Sequence, residues 1–468
     1  MTRAGAAEDA SRAEDDVPAR LDFLLPPEAV SRLRRTPAFR GLGLRGGRRS
    51  RLAEIWAKGE EGETLGVAPG PEPSGIVSVF GGVLGRRRRL ISRAVPGLGL
   101  EITEGAFIAG TRGGRFYALS LDGPALLVAE AAHRLAGELP LFAAPAKLPA
   151  LGDHLAGADR PHPREGPALD PGMDVALAAR RILATRAGAV EAEIAALKAA
   201  LWRDGPEAGD DPEPVHQTRV ALRRLRAAMA AFAPLSAPWL DKIRGHLSGF
   251  GHILTPAREW DVFLAGMARD LRQSFPADAV LTPFLGEAKK RRDDAYAALR
   301  AWLAGDGARQ FSVALASLPL LVVSTPAGAP CPLDDFARAR LEKRARRLRR
   351  VTMLAALDMD QLHRLRLDAK RLRYLGEMFA PCFPRRRTER FLRHLARLQD
   401  WLGAVNDAAT TSRLVRGIAP EGSAAASGAA IVLAQGMALG FAAASVPHAM
   451  AKAEKTLQRL QALKPFWE

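Results

Sequence analysis

The stretch VHQTRVALRRLRAAMAAF (215–232) places one histidine and four arginines on what its spacing predicts to be a single helix. At about 100° per residue, Arg219, Arg223 and Arg226 fall roughly 60°, 20° and 80° to one side of His216, along ~15 Å of axis. Leu222, Leu225, Met229 and Phe232 fall on the opposite side. The helix is therefore amphipathic, with a polar face that is almost purely cationic. Arg224 stands apart on the other flank.

The same pattern returns at 363–379, HRLRLDAKRLRYLGEMF. With a constant offset of 147 residues, His216 matches His363, Arg219 matches Arg366, and Arg223 matches Lys370. Arg224, Arg226 and Phe232 match Arg371, Arg373 and Phe379. Downstream, LTPAREWDVFL (254–264) echoes LGAVNDAATTS (402–412) and sets Glu259 opposite Asp407. A duplicated helical unit accounts for both echoes.

The surroundings agree. From 172 to 463 the chain reads as helix-period segments with almost no strand signal, among them 237–255, 258–274, 359–379, 385–403 and 405–417. Such content predicts packed helical bundles in two repeats, about 173–320 and 321–468. Residues 21–151 are mixed, with helices expected at 27–35 and 124–135 and short strands at 51–56, 76–80, 90–93 and 115–121. Residues 1–20 are polar and acidic and predict a disordered tail. GVAPGPEPSG (66–75) predicts a loop, and 152–172, rich in Pro, Gly and charge, predicts a linker. An apolar run at 428–446, interrupted by Gln435, predicts a buried core helix more readily than a membrane span.

Charge locates the partner. The 468 residues carry a net +17. Residues 1–170 hold 23 basic against 21 acidic residues; 171–468 hold 45 against 30. The excess lies in the helical part, so an anionic partner is expected there. Only Cys331 and Cys382 are present, which excludes a disulfide framework and a zinc cluster. Without an apolar leader in the first 20 residues, the chain reads as cytoplasmic.

A solvated helix face mixes signs, because acid–base pairs at i,i+4 relieve repulsion. Here the row lacks intervening carboxylates, twice and in register, so a compensating anion is expected. The cations beside His216 and His363 repel a metal, so neither metal nor cofactor is expected. A linear row of guanidinium groups suits repeated phosphates, each taking forked donors. Nucleic acid also fits. Single-strand binding wants aromatic platforms and duplex reading wants Asn or Gln; only Tyr374 and Gln217 are on offer. By themselves the residues reach an extended polyanion and stop there.

The paired motif, with GAVND (403–407) and KPFW (464–467), resembles the CHAD family, the conserved histidine α-helical domain, over about 172–468. That resemblance implies two helical bundles related by pseudo-twofold symmetry around a basic groove. It also implies binding of inorganic polyphosphate and association with polyphosphate granules. Carried over, the ligand contacts would be His216, Arg219, Arg223, Arg226, His363, Arg366, Lys370 and Arg373, with Arg224 and Arg371 flanking. Glu259 and Asp407 would orient the guanidiniums or pack against them. ARARLEKRARRLRR (337–350) reads as a wall of the groove or an outer surface, and KKRRDDAYAALR (289–300) as solvated charge.

LDFLLPPEAVSRL (21–33) resembles the start of a CYTH domain, the triphosphate-tunnel β-barrel. In that register Pro18 and Arg20 replace the metal-binding glutamates and Asp22 replaces the lysine. RFYALSLDG (115–123) has one Asp where the family shows alternating Glu. The resemblance therefore implies a degenerate α+β domain at 21–151 that has lost metal-dependent hydrolysis. The expectation is a non-enzymatic polyphosphate-binding protein. The rivals are a nucleic-acid-binding protein and a metal-dependent triphosphate hydrolase with an unconventional N-terminal site.

Overall fold

A computed structural model of the chain describes residues 18–59, 64–67, 76–109, 112–144, 169–202, 211–235, 240–276, 279–322, 331–418 and 425–468. The expected tail up to residue 17, most of the 66–75 loop and the linker up to 168 lie outside the described residues.

The first described element is β1 (Pro18–Leu25), which begins three residues before the expected domain boundary. The reason is pairing: Pro18, Ala19 and Arg20 sit opposite Pro124, Gly123 and Asp122. Helices α1 (Pro27–Leu33) and α2 (Pro37–Gly41) follow, each with Pro in its first turn, where its missing N–H costs nothing. Then come β2 (Leu44–Gly59), β3 (Thr64–Val67), β4 (Ile76–Ser92), β5 (Gly99–Ala109), β6 (Arg112–Pro124), α3 (Ala125–Ala136) and β7 (Phe142–Ala144). The seven strands form one antiparallel sheet in the order β3-β2-β4-β5-β6-β1-β7. No ladder joins β3 to β7 among the described residues, so the sheet is open there and the expected barrel is not closed. Period-2 alternation puts Phe23, Leu100, Leu119 and Leu121 on one face, buried against Leu33, Val128, Ala132 and Leu135 of the helices.

The helical part consists of α4 (Val175–Leu201), α5 (Glu213–Ala231), α6 (Leu240–Phe263), a π turn (Leu264–Ala268), α7 (Arg269–Ser274), α8 (Leu281–Ala304), α9 (Asp306–Ser317), α10 (Leu333–Arg349), α11 (Met359–Phe379), α12 (Arg385–Arg416) and α13 (Ala425–Gln461). The two segments expected on either side of Pro256 are one helix, α6, with the proline inside it. The break expected at residue 404 is likewise absent from α12. The packing order α4–α5–α6–α8 recurs as α10–α11–α12–α13.

Two further expectations change. Helix α13 is not enclosed: Ile431, Ala434, Ala438 and Ala442 are buried, while Val432, Leu433 and Phe441 are exposed on its outer face. Its segment Gly428–Gln461 is long and apolar enough to cross a membrane by length and composition. Within the expected solvated stretch 289–300, Arg292 is buried, 2.7 Å from the equally buried Asp261, which also accepts from the Tyr296 hydroxyl.

Candidate functional site

Each histidine helix is fixed by its apolar stripe. On α5, Val215, Leu222, Leu225, Met229 and the following Phe232 are buried; on α11, Leu362, Leu365, Leu372 and Phe379. The matched aromatics meet, with the Phe232 and Phe379 rings 6.0 Å apart and edge-on. Helix α11 starts on a capping box: Asp358 accepts from the Gln361 amide, and the Gln361 side chain accepts from the Asp358 amide. With their apolar faces buried, the two helices turn polar residues into a shared cleft of about 730 Å³.

The cleft gathers six of the ten predicted ligand positions: His216, Arg219, Arg223, His363, Arg366 and Lys370. Each matched trio thus contributes all three members. Arg223 donates from Nε to the Tyr374 hydroxyl at 3.0 Å, tying one repeat to the other. Arg219 donates to Thr255 Oγ1 at 2.6 Å. The Nε atoms of Arg219 and Arg366 are buried without a hydrogen-bond partner. His363 Nδ1 lies 2.8 Å from Asn406 Oδ1, while Asn406 Nδ2 faces Thr410. With the amide placed so, Nδ1 carries the proton and donates.

The other four predicted positions point elsewhere. Helical phase drifts by a further turn, so Arg226 lies against α6, donating to the Leu247 carbonyl. Gly251 makes the room, since a Cβ there would lie 2.7 Å from Arg226 Nη2. Arg373 pairs with Glu377 at 3.3 Å, Arg224 approaches the same carboxylate at 3.8 Å, and Arg371 pairs with Asp368 at 3.4 Å. Glu259 and Asp407 do line the cleft. Glu259 pairs with Arg413 of the other repeat at 2.6 Å and also acts on the Arg219 guanidinium, opposing the fall in its pKa. Polar cleft residues that the sequence pattern did not single out include Arg258, Asp360, Asn406 and Arg413. Only Asn406 left a signal, as the Asn of GAVND.

Lining residues count six Lys or Arg (Arg219, Arg223, Arg258, Arg366, Lys370, Arg413) against three acids (Asp360, Glu259, Asp407). The imbalance perturbs its members. Burial, then Arg366 and Arg223, push the Lys370 ammonium down to about 7 despite Asp407. Burial, then Arg223, push the Arg219 guanidinium down to about 10. His216 is also lowered, by burial and then Arg258. Such a site favours an incoming anion, which would relieve each of these shifts.

The CHAD domain family model matches residues 188–416, a span that holds both histidine helices and the two helices behind them. The chain carries a CHAD domain. The crystal structure of the CHAD domain from the plant Ricinus communis is similar, with TM-score 0.50 and 26% identity, covering 66% of this chain and 98% of that one. PptA from Streptomyces chartreusis aligns with TM-score 0.44 and 17% identity, covering 62% and 99%. No curated protein matches the chain. The CHAD match leaves the N-terminal sheet outside it. There, Arg20 pairs with Asp22 at 3.0 Å and Glu101 at 3.4 Å, and Arg89 pairs with Asp122 at 2.6 Å. These carboxylates face arginines, and among the described residues no group of three or more His, Cys, Asp or Glu is placed to hold a metal ion.

Proposed function

We propose that this protein binds inorganic polyphosphate, without turning it over, in the cleft between its two histidine helices. In this reading the repeats are related by a pseudo-twofold axis, and the matched trios grip successive phosphates from both sides. The observation that carries it is the surplus of buried, under-compensated cations: Lys370 held near 7 and two guanidinium Nε atoms without partners. A phosphate chain supplies acceptors to all of them at once, and charge-assisted bonds of this kind contribute about 1.5–3 kcal/mol each. Bases would gain little, since Phe263 is the one Phe, Tyr or Trp among the lining residues and it is buried. The setting is cytoplasmic, on polyphosphate granules. The N-terminal sheet acts as a docked, non-catalytic companion.

Competition is the test. Long-chain polyphosphate is expected to displace single-stranded RNA or duplex DNA at low stoichiometry, with the reverse needing large excess. Arg223→Glu and Lys370→Glu are each expected to lower affinity about 10–100-fold and flatten the salt dependence by roughly 0.7–0.9 per lost phosphate contact. Arg291→Gln, in an exposed pair with Glu287, is the control and is expected to change little. A preference for nucleic acid at matched salt, or equal losses at Arg223 and Arg291, would overturn the reading. Phosphate release from tripolyphosphate with Mg²⁺, abolished by Asp22→Asn, would return the hydrolase.

A further inference from the structure

Further along α5 and α11 from the cleft residues, a second cationic pocket of about 120 Å³ lies between α5, α10 and α11. One water needs only ~10–15 Å³, so the space admits a phosphate group with some hydration. Lys370 and Arg371 are neighbours in sequence, and ~100° of helix rotation turns Lys370 to the cleft and Arg371 to this pocket. Arg371 joins Arg340, Lys343 and Arg344, which share one stripe of α10 at i, i+3 and i+4. Helix α5 supplies only Ala227, Ala230 and Ala231, whose small side chains leave the volume open.

The charge there is poorly balanced. Asp368 alone serves Arg344 at 3.8 Å, Arg347 at 3.2 Å and Arg371 at 3.4 Å. Among the described residues Lys343 has no carboxylate within ion-pair distance, and Arg340 sits over the Phe336 ring, 4.8 Å from its centre. Helix α4 packs on α5 as α10 packs on α11, and its Arg186 is lowered by burial and then by Arg224, the match of Arg371, with Glu377 opposing.

We propose that this pocket is a second anion site, separate from the cleft and shaped for a compact, multiply charged phosphate such as pyrophosphate. Four cations converge on a volume too small for a polymer segment to pass through. No aromatic side chain lines it, so a nucleotide base finds no platform. Burial lowers Arg340, and burial with Arg347 and Arg371 lowers Arg344, consistent with guanidiniums awaiting an anion. The site stands whatever the cleft binds.

Calorimetric titration of pyrophosphate into the full chain tests it, with Lys370→Glu as a background that impairs the cleft. Pyrophosphate is expected to keep binding in that background. Adding Arg344→Gln, or separately Ala230→Glu to set a carboxylate in the exposed mouth, is expected to weaken it about tenfold. With the cleft intact, Arg344→Gln is expected to leave long-chain polyphosphate affinity within about twofold. Should Arg344→Gln melt early by circular dichroism, Ala230→Glu decides alone. Unchanged pyrophosphate binding in both variants overturns the proposal. So does a loss of long-chain affinity in Arg344→Gln as steep as in Lys370→Glu, which would make the two pockets one track.

Discussion

Lys370 is the one position in the matched trios where the repeats differ in kind, since Arg223 stands at the same place in the first copy. Arginine stays charged; lysine at about 7 does not. A bound phosphate chain favours the ammonium and raises its pKa. Above pH ~7 binding must therefore take up a proton, and affinity falls as pH rises. His216, lowered by burial and Arg258, adds a dependence of the same sign at lower pH. Lys370→Arg is expected to flatten the profile above pH 7 while keeping tight binding, measured at constant ionic strength from pH 6 to 9. A flat wild-type profile over pH 7–9 would remove Lys370 from the contact set. The stability consequence has its own sign. The folded pKa lies below the ordinary 10.5, so the unfolded chain holds more protons between pH 7 and 10.5, and apo stability rises with pH there. Below pH 7 the charge is forced into the cleft. Lys370→Met is expected to raise the apo Tm by about 2–4 °C near pH 6, read by calorimetry, while weakening polyphosphate binding.

Helix α6 contains a proline the sequence reading treated as a boundary. Pro256 lacks an N–H for the His252 carbonyl, yet Leu254, Ala257, Trp260 and Asp261 are buried on either side, and that packing carries the helix through. Pro256→Ala restores the missing bond. Offset by the unfolded chain's added freedom, it is expected to stabilise by about 1–2 kcal/mol, seen as a higher urea midpoint at constant slope. A lower midpoint would mean the packing requires the proline's bend. The same contest explains what could be read in advance. Helices α5 and α11 declared themselves because an apolar stripe, a cationic stripe and a repeat agreed. The sheet was harder. Glycines and arginines in GGVLGRRRR (81–89) hide the alternation of β4, which was read as two short runs, and β5 was not read at all. In the site, the trios were visible as helical phase. Arg258, Arg413 and Asn406 come from α6 and α12, and their approach depends on how those helices pack, which no local pattern encodes. Arg226 and Arg373 looked equivalent to the trios until carbonyl and carboxylate neighbours captured them.

The two parts of the molecule share one apolar boundary. Val313 of α9 belongs to the core under the sheet, Ala129 of α3 belongs to the helical core, and Arg309 of α9 lies over the Phe142 ring of β7, 5.9 Å from its centre. A continuous boundary of this kind predicts that sheet and bundle unfold together near neutral pH. A titratable pair is set into it: His133 of α3 stacks on His246 of α6 with ring centres 6.5 Å apart. Burial, then His246 and Lys242, push His133 down to about 4, and burial lowers His246 as well. The folded pKa of His133 lies below the unfolded value of 6.5, so the unfolded state binds more protons between them. The stability this neutral ring contributes is complete above pH 6.5 and is lost as pH falls toward 4. Scanning calorimetry is expected to show a single transition at pH 7 and a lower Tm at pH 5. His133→Leu, which cannot titrate, is expected to reduce that difference, whereas Lys370→Arg leaves it in place. If the pH 7 to 5 shift is the same size in wild type and His133→Leu, the histidine pair does not set the acid response of the boundary.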